Sequence, residues 1–285
     1  MRLVKFRRPN AAPEVGVLDG DRVRPIDLSR AGAQSLADLL ATADPASAAS
    51  LGLTADAIAL GEVTLLPPVD AQEVWAAGVT YLRSKKARED ESAGAARFYD
   101  LVYTASRPEL FFKATPDRVV GPGQPIRVRA DSRWSVPEPE LAVVVSPDLR
   151  IVGYTIGNDM SARDIEGENP LYLPQAKVYK QSCALGPCVT LAMALPPRDD
   201  VGIRLRIDRG GAVAFAGETS LARMARPLEE LVDWLGRENE FPNGVILLTG
   251  TGIVPPDEFS LQAGDVVSIA IDGVGELINP VVCGP

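Results

Sequence analysis

Glu138 and Glu140 lie one residue apart in Val136-Pro137-Glu138-Pro139-Glu140-Leu141-Ala142-Val143-Val144-Val145, at the start of an apolar, β-branched run. Residues two apart in a strand share a face, so the two carboxylates stand side by side. Like charges held in parallel repel unless a cation sits between them. Taken alone, the pair also fits the solvent-facing end of a strand. Ile156-Gly157-Asn158-Asp159-Met160-Ser161-Ala162-Arg163-Asp164 follows a second apolar strand and adds another acid. A carboxylate from Asp159 would complete a three-oxygen set suited to Mg²⁺, with Mn²⁺ or Ca²⁺ as substitutes. The same spacing fits a turn or cap aspartate beside a local Arg163–Asp164 ion pair.

Three further segments carry chemistry. The chain has only six lysines among 29 basic residues, and Leu173-Pro174-Gln175-Ala176-Lys177-Val178-Tyr179-Lys180 holds two of them. A lysine in a dry pocket acts as a base or steadies an enolate, whereas a lysine on the surface does neither. In Leu248-Thr249-Gly250-Thr251-Gly252-Ile253, glycines beside hydroxyls let backbone N–H groups approach a carboxylate, or simply make a turn. In Arg107-Pro108-Glu109-Leu110-Phe111-Phe112-Lys113, charge flanks a core that is costly to enter with charge. Glu109 there is either functional or a surface strand end.

These groups need strands to hold them. Glu73 to Gly78, Glu138 to Val145, Ile151 to Gly157, Gly244 to Thr249 and Asp265 to Ile271 all read as strands. Leu18-Asp19-Gly20-Asp21 is a hairpin signal, and Ser35 caps a helix with Asp38 at its third position. Tyr81 to Ala96 reads as helical, as does Pro227 to Glu238 with Leu228, Leu231, Val232 and Leu235 at helical spacing. Leu65-Leu66-Pro67-Pro68-Val69 is a stiff connector, which divides a small domain, 1–67, from a larger one, 68–285.

Composition removes other chemistries. The 285-residue chain contains no histidine, which excludes Ser-His-Asp and Cys-His catalysis, imidazole bases and histidine metal ligands. A net charge of -9 argues against nucleic acid as a partner. Cys183, Cys188 and Cys283 are too few for a disulfide scaffold in a chain this long, and the first two read as small core residues. No apolar run approaches the ~18 residues of a membrane span, and the N-terminus lacks a signal-peptide pattern. A cytoplasmic location is expected.

In order, Trp75-Ala76-Ala77-Gly78-Val79-Thr80-Tyr81, Leu110-Phe111-Phe112-Lys113, Val119-Val120-Gly121-Pro122-Gly123, Glu138-Pro139-Glu140-Leu141, Gly157 to Asp164, Leu185-Gly186-Pro187 and Leu248 to Gly252 resemble the fumarylacetoacetate hydrolase superfamily. Each motif is weak alone; seven in sequence, from about Trp75 to Val282, are specific. The resemblance implies a strand-rich α+β fold, with a rolled mixed β-sheet catalytic domain beside a small N-terminal α+β domain, and a homodimer or homotetramer. It implies Glu138, Glu140 and Asp159 as metal ligands, Lys177 as the active-site lysine and Thr251 as a substrate-loop threonine.

Hydrolases of this family carry a histidine after the Gly-x-x-Tyr segment, paired with a glutamate, to activate water for C–C cleavage. Here the stretch reads Tyr81-Leu82-Arg83-Ser84-Lys85-Lys86. The sequence is more similar to the branch of sugar-acid dehydratases, through Trp134 to Glu140 and the long Arg163 to Lys177 segment. That branch implies Glu109 and Lys177 as the acid–base pair, with Arg83, Ser84 and Thr251 as candidate substrate contacts. The expected reaction is Mg²⁺-dependent loss of water from a 2-keto-3-deoxy pentonate such as 2-dehydro-3-deoxy-D-arabinonate, giving 2,5-dioxopentanoate. Proton removal beside a metal-chelated ketone needs only a modest base, and no water has to become a nucleophile. The alternatives are a C–C hydrolase or decarboxylase of a diketo acid, and a metal-binding protein whose active site has decayed.

Overall fold

Apolar runs rich in valine, isoleucine and leucine alternate with Gly, Pro and Asp turns along most of the chain, a pattern that builds strands. The computed structural model describes residues 1–81, 102 and 105–284. In chain order its strands are β1 (Arg2–Arg7), β2 (Pro13–Asp19), β3 (Arg22–Pro25), β4 (Ile58–Ala59), β5 (Thr64–Leu66), β6 (Glu73–Gly78), β7 (Glu109–Ala114), β8 (Val119–Val120), β9 (Ile126–Val128) and β10 (Ser135–Val136). They continue with β11 (Pro139–Val145), β12 (Ile151–Asp159), β13 (Ser161–Ala162), β14 (Cys183–Leu191), β15 (Gly202–Arg209), β16 (Ala212–Ser220), β17 (Val245–Leu248), β18 (Val266–Ile271) and β19 (Gly275–Cys283). The helices are α1 (Leu36–Ala41), α2 (Pro45–Gly52), α3 (Arg163–Glu168), α4 (Leu173–Lys177) and α5 (Leu228–Gly236).

Twelve strands form one mixed sheet along the path β4-β3-β2-β1-β14-β12-β11-β17-β6-β7, with β5 on β1 and β8 on β14. The β17–β6 and β14–β8 pairs are parallel. A second sheet runs β16-β15-β18-β19-β9, and β10 pairs with β13 in a short ribbon. Strands of the first 67 residues enter the large sheet through antiparallel pairing of β1 with β14. The helix expected over Tyr81 to Ala96 lies, beyond Tyr81, outside the described residues.

The alternation along β11 sorts the core. Leu141, Val143 and Val145 face Ile203, Leu205, Ile269 and Leu277 of the second sheet in the main hydrophobic cluster. On the opposite face, Val144 packs with Leu36, Leu39 and Leu40 of α1, and Ala142 packs with Ala76, Leu185 and Leu248. Both faces of this strand are therefore dry, which is why it reads as a continuous apolar run. Local signals hold where they were strongest. Gly20 turns β2 into β3 with φ +57°, and α5 buries Leu228, Leu231, Val232 and Leu235. The Ser35 hydroxyl accepts from Asp38 N while the Asp38 carboxylate accepts from Gln34 N, so both ends of the cap on α1 are tied. Cys183 and Cys188 are buried, Cys283 is exposed, and all three are free thiols. No helix among the described residues is long and apolar enough to cross a membrane.

Truncating Leu141, fully buried between the sheets, to alanine should cost about 2–5 kcal/mol. Removing the Ser35 cap as Ser35→Ala should cost about 1 kcal/mol. Equilibrium urea unfolding checks the order of the two losses; equal losses would contradict the assignment of the core to the sheet interface.

Candidate metal centre and active site

The face of β11 that carries Val144 and Ala142 continues to Glu140 and then Glu138 at the strand's entry. Antiparallel β12 ends alongside, with Gly157 opposite Glu140. Asp159 N donates to Glu138 O at 3.0 Å, which sets Asp159 beside Glu138. One oxygen from each of Glu138, Glu140 and Asp159 lies within 4.8 Å of the others. The three residues are 3%, 1% and 1% exposed. Glu138 and Glu140 are therefore not a solvated strand end.

Three buried cations surround this cluster. Lys177, at the end of α4, places Nζ 2.7 Å from Glu138 Oε2 and 3.1 Å from Asp159 Oδ2, and donates to Ser161 Oγ at 2.6 Å. The Lys113 Nζ of β7 lies 2.5 Å from Asp159 Oδ1 and donates to the carbonyl oxygens of Met160 at 3.0 Å and Lys177 at 2.5 Å. The Arg163 Nη2 of α3 lies 2.9 Å from Glu138 Oε1. Arg163 thus serves Glu138, not its neighbour: the Asp164 carboxylate accepts from Ser132 Oγ at 2.6 Å and Arg133 N at 2.7 Å instead. Glu140 accepts from Gly250 N at 2.5 Å. Burial, then Asp159 and Glu138, hold its carboxyl well above the usual range; the Gly250 N–H and Lys177 pull the other way.

Glycines clear the floor beside the carboxylates. Gly78 of β6 pairs with Glu109 of β7, and a Cβ on Gly78 would sit 1.9 Å from Glu109 Oε2. Gly250 has φ +89°, and a Cβ there would meet Thr80 Oγ1 at 2.0 Å. The Thr80 hydroxyl donates to Thr249 O at 2.7 Å and so pins the loop that delivers Gly250 N to Glu140. Phe111, two residues beyond Glu109 on β7, holds its ring centroid 5.7 Å from Lys177 Nζ. Glu109 stands at the start of β7 and Lys177 at the end of α4. Thr251 is buried, its Oγ1 accepting from Ile253 N and donating to Ile253 O, both at 3.2 Å. Arg83 and Ser84 lie outside the described residues.

Lys113 and Arg163 were missed as members of the cluster. The signal for Lys113 was present: a lysine on a strand of Leu110-Phe111-Phe112 is expensive unless paired. For Arg163 the nearer Asp164 offered a cheaper explanation, and only tertiary structure separates the two. The donor set itself fits a hard divalent cation. It is all carboxylate oxygen, with no sulfur or imidazole, and its like charges are packed closer than water alone would screen. Glu138, Glu140 and Asp159 are the residues that would hold Mg²⁺.

The fumarylacetoacetate (FAA) hydrolase C-terminal family model matches residues 73–282, and the Rv2993c-like N-terminal family model matches residues 1–68. A probable 2-keto-3-deoxyxylonate dehydratase of Haloferax volcanii is 51% identical over 214 residues, 75% of this chain and 73% of that protein. A 2-dehydro-3-deoxy-D-arabinonate dehydratase of Saccharolobus solfataricus is 44% identical over 225 residues, 78% and 76% of the two chains. A solved structure of 2-keto-3-deoxy-D-arabinonate dehydratase complexed with magnesium and 2,5-dioxopentanoate aligns with a TM-score of 0.85 at 35% identity, over 100% of this chain and 99% of that one. With its strand-rich α+β architecture and buried acidic triad, this chain belongs to the fumarylacetoacetate hydrolase family.

Proposed function

We propose that this chain is a divalent-metal-dependent hydro-lyase that removes water from a 2-keto-3-deoxy pentonate, 2-dehydro-3-deoxy-D-arabinonate, to give 2,5-dioxopentanoate. The observation that carries the reading is the buried triad of Glu138, Glu140 and Asp159 bounded by Lys113, Arg163 and Lys177. Its likeness to dehydratases of this substrate class, one of them complexed with magnesium and the same product, supports the reading. Mg²⁺ held by the triad, or Mn²⁺ or Ca²⁺ in its place, supplies a Lewis acid that polarises the keto acid's oxygens.

The chain's own groups do the rest. Arg163 and Lys113 fix the rotamers of Glu138 and Asp159, so the oxygens converge before any ligand arrives. Glu109 and Lys177 share the acid and base work, with one on β7 and the other at the end of α4. A proton leaves C3 and the hydroxyl leaves C4, together as water. Transfer of a proton from C5 to C3 of the resulting 3-ene gives a C4–C5 enol, which tautomerises to the aldehyde. Each step moves protons between carbon, oxygen and a side chain, and none requires an activated water. Thr251 sits on the loop beside Glu140, and Arg83 and Ser84 are further substrate contacts in this reading.

Purified protein with Mg²⁺ and 2-keto-3-deoxy-D-arabinonate should yield 2,5-dioxopentanoate, and a chelator should abolish turnover. Pyruvate or carbon dioxide as product would replace the dehydratase by a lyase of C–C bonds, and metal binding without turnover would point to a decayed site. Glu138→Gln should weaken Mg²⁺ binding by roughly 100-fold or more, since even partners of metal ligands are worth 10–100-fold. Calorimetric titration measures it. Lys177→Ala and Glu109→Gln should each keep the fold and lose about 10²–10⁴-fold in kcat. A near-wild-type rate in either variant removes that residue from the acid–base pair.

A further inference from the structure

Tyr179 follows Lys177 by two residues and is 9% exposed. Two cations lie near its ring, with Lys113 Nζ 5.9 Å and Arg129 Cζ 5.6 Å from the centroid. The first of these is the ammonium that holds Asp159. The segment is fixed: Tyr179 N donates to Ser182 Oγ at 3.2 Å, and Ser182 O accepts from Met160 N, the residue after Asp159. The phenol oxygen is buried and makes no hydrogen bond to a described group. Lys113 thus adjoins both the Tyr179 ring and the triad, and Asp159, Lys177, Arg129 and Glu138 are the charges that act on the phenol. Burial pushes its ionisation far above the ordinary tyrosine range, which leaves a neutral O–H donor at any working pH.

A buried donor with no acceptor costs about 1–3 kcal/mol, and a phenylalanine of the same shape would remove that cost. Among the described residues the hydroxyl has no acceptor, and a ligand in the site can supply one. In a keto acid of the class proposed above, the carboxylate and ketone oxygens face the cation site. The acceptors that remain are the hydroxyls of the tail. A neutral donor suits a neutral hydroxyl oxygen without adding charge to an already balanced cluster.

We propose that Tyr179 is a specificity-determining residue whose Oη donates a hydrogen bond to a hydroxyl oxygen on the tail of the keto acid. The proposal rests on the reading of the site as one for hydroxylated 2-keto acids. Wild type and Tyr179→Phe are compared as full chains loaded with Mg²⁺. In the variant, kcat/KM for 2-keto-3-deoxy-D-arabinonate should fall about tenfold or more. Pyruvate, which has the chelating end and no hydroxyl, should bind both proteins with the same Kd. The melting temperature of the free variant should not drop, because the lost hydroxyl has no partner among the described residues. An unchanged kcat/KM, an equal loss of pyruvate affinity, or a variant that melts lower or fails to fold would each overturn the proposal. If wild type turns over no pentonate, the dehydratase reading fails on its own. Calorimetry of the pentonate against pyruvate on the two proteins then still decides Tyr179: the variant should lose affinity for the pentonate alone.

Discussion

Three carboxylates forced to within 4.8 Å in a site shielded from water are the constraint that the rest of the structure answers to. Mutual repulsion in a low-dielectric interior would neutralise such a group by protonation unless positive charge met it. The fold brings that charge from three separate elements: Lys113 from β7, Arg163 from α3 and Lys177 from α4. Glu138 has both oxygens engaged, one by Arg163 and one by Lys177, and Asp159 has both engaged by the two lysines. Among the described residues Glu140 has no such arginine or lysine bond, and it takes a backbone N–H from Gly250. Burial and its two acidic neighbours push its carboxyl up.

The sheet satisfies a second demand, which is space. Large strand-borne side chains close off a sheet face, and the same face that carries Glu140 is filled by Ala142 and Val144 further along β11. Next to the glutamates glycines make room. Gly157 stands opposite Glu140 and leaves its space to the Leu248 side chain, Gly78 stands opposite Glu109, and Gly250 supplies its N–H to Glu140. The clearances are too small for any Cβ at Gly78 or Gly250 without moving Glu109 or Thr80. Absence of side chains at those positions is thus as much a part of the site as the acids.

Period-two alternation made the Glu138–Glu140 pair legible, because a face shared by two residues of one strand is a local fact. The apolar run that follows is the local sign that the pair stands at the mouth of a buried sheet, at one end of an interior strand. The Ser35 cap and the stripe of Leu228, Leu231, Val232 and Leu235 on α5 were legible for the same local reason. What could not be read locally was which charge meets which. Arg163 is adjacent in sequence to Asp164 and pairs with Glu138, 25 residues away. Lys113 meets Asp159 across the fold. Those choices follow from sheet order, in which β11 and β12 lie side by side while β7 arrives at the far edge through β6 and β17. No spacing rule encodes that order. The family motifs stand for a three-dimensional arrangement, but they name ligands and an acid–base pair, not the strand order or these ion pairs.

The missing histidine ties the electrostatics to the chemistry. A hydrolytic route needs a group that accepts a proton from water at neutral pH while a nucleophile forms, and imidazole is the side chain whose ordinary pKa suits that task. The described site offers ammonium, guanidinium and carboxylate groups, locked pairwise by bonds of 2.5–3.1 Å. Such a set is rigid and strongly polar. It suits a reaction in which charge develops on a ligand oxygen and disperses again, with protons passed over short distances by groups already in place. Elimination from a 2-keto acid has that character: the ketone stabilises the carbanion, the leaving group is a hydroxyl of the substrate itself, and the water released is a product instead of a reagent. A cage of fixed charges kept without the water-activating histidine therefore suits the same fold to expelling water from a C–O bond, not to adding it across a C–C bond.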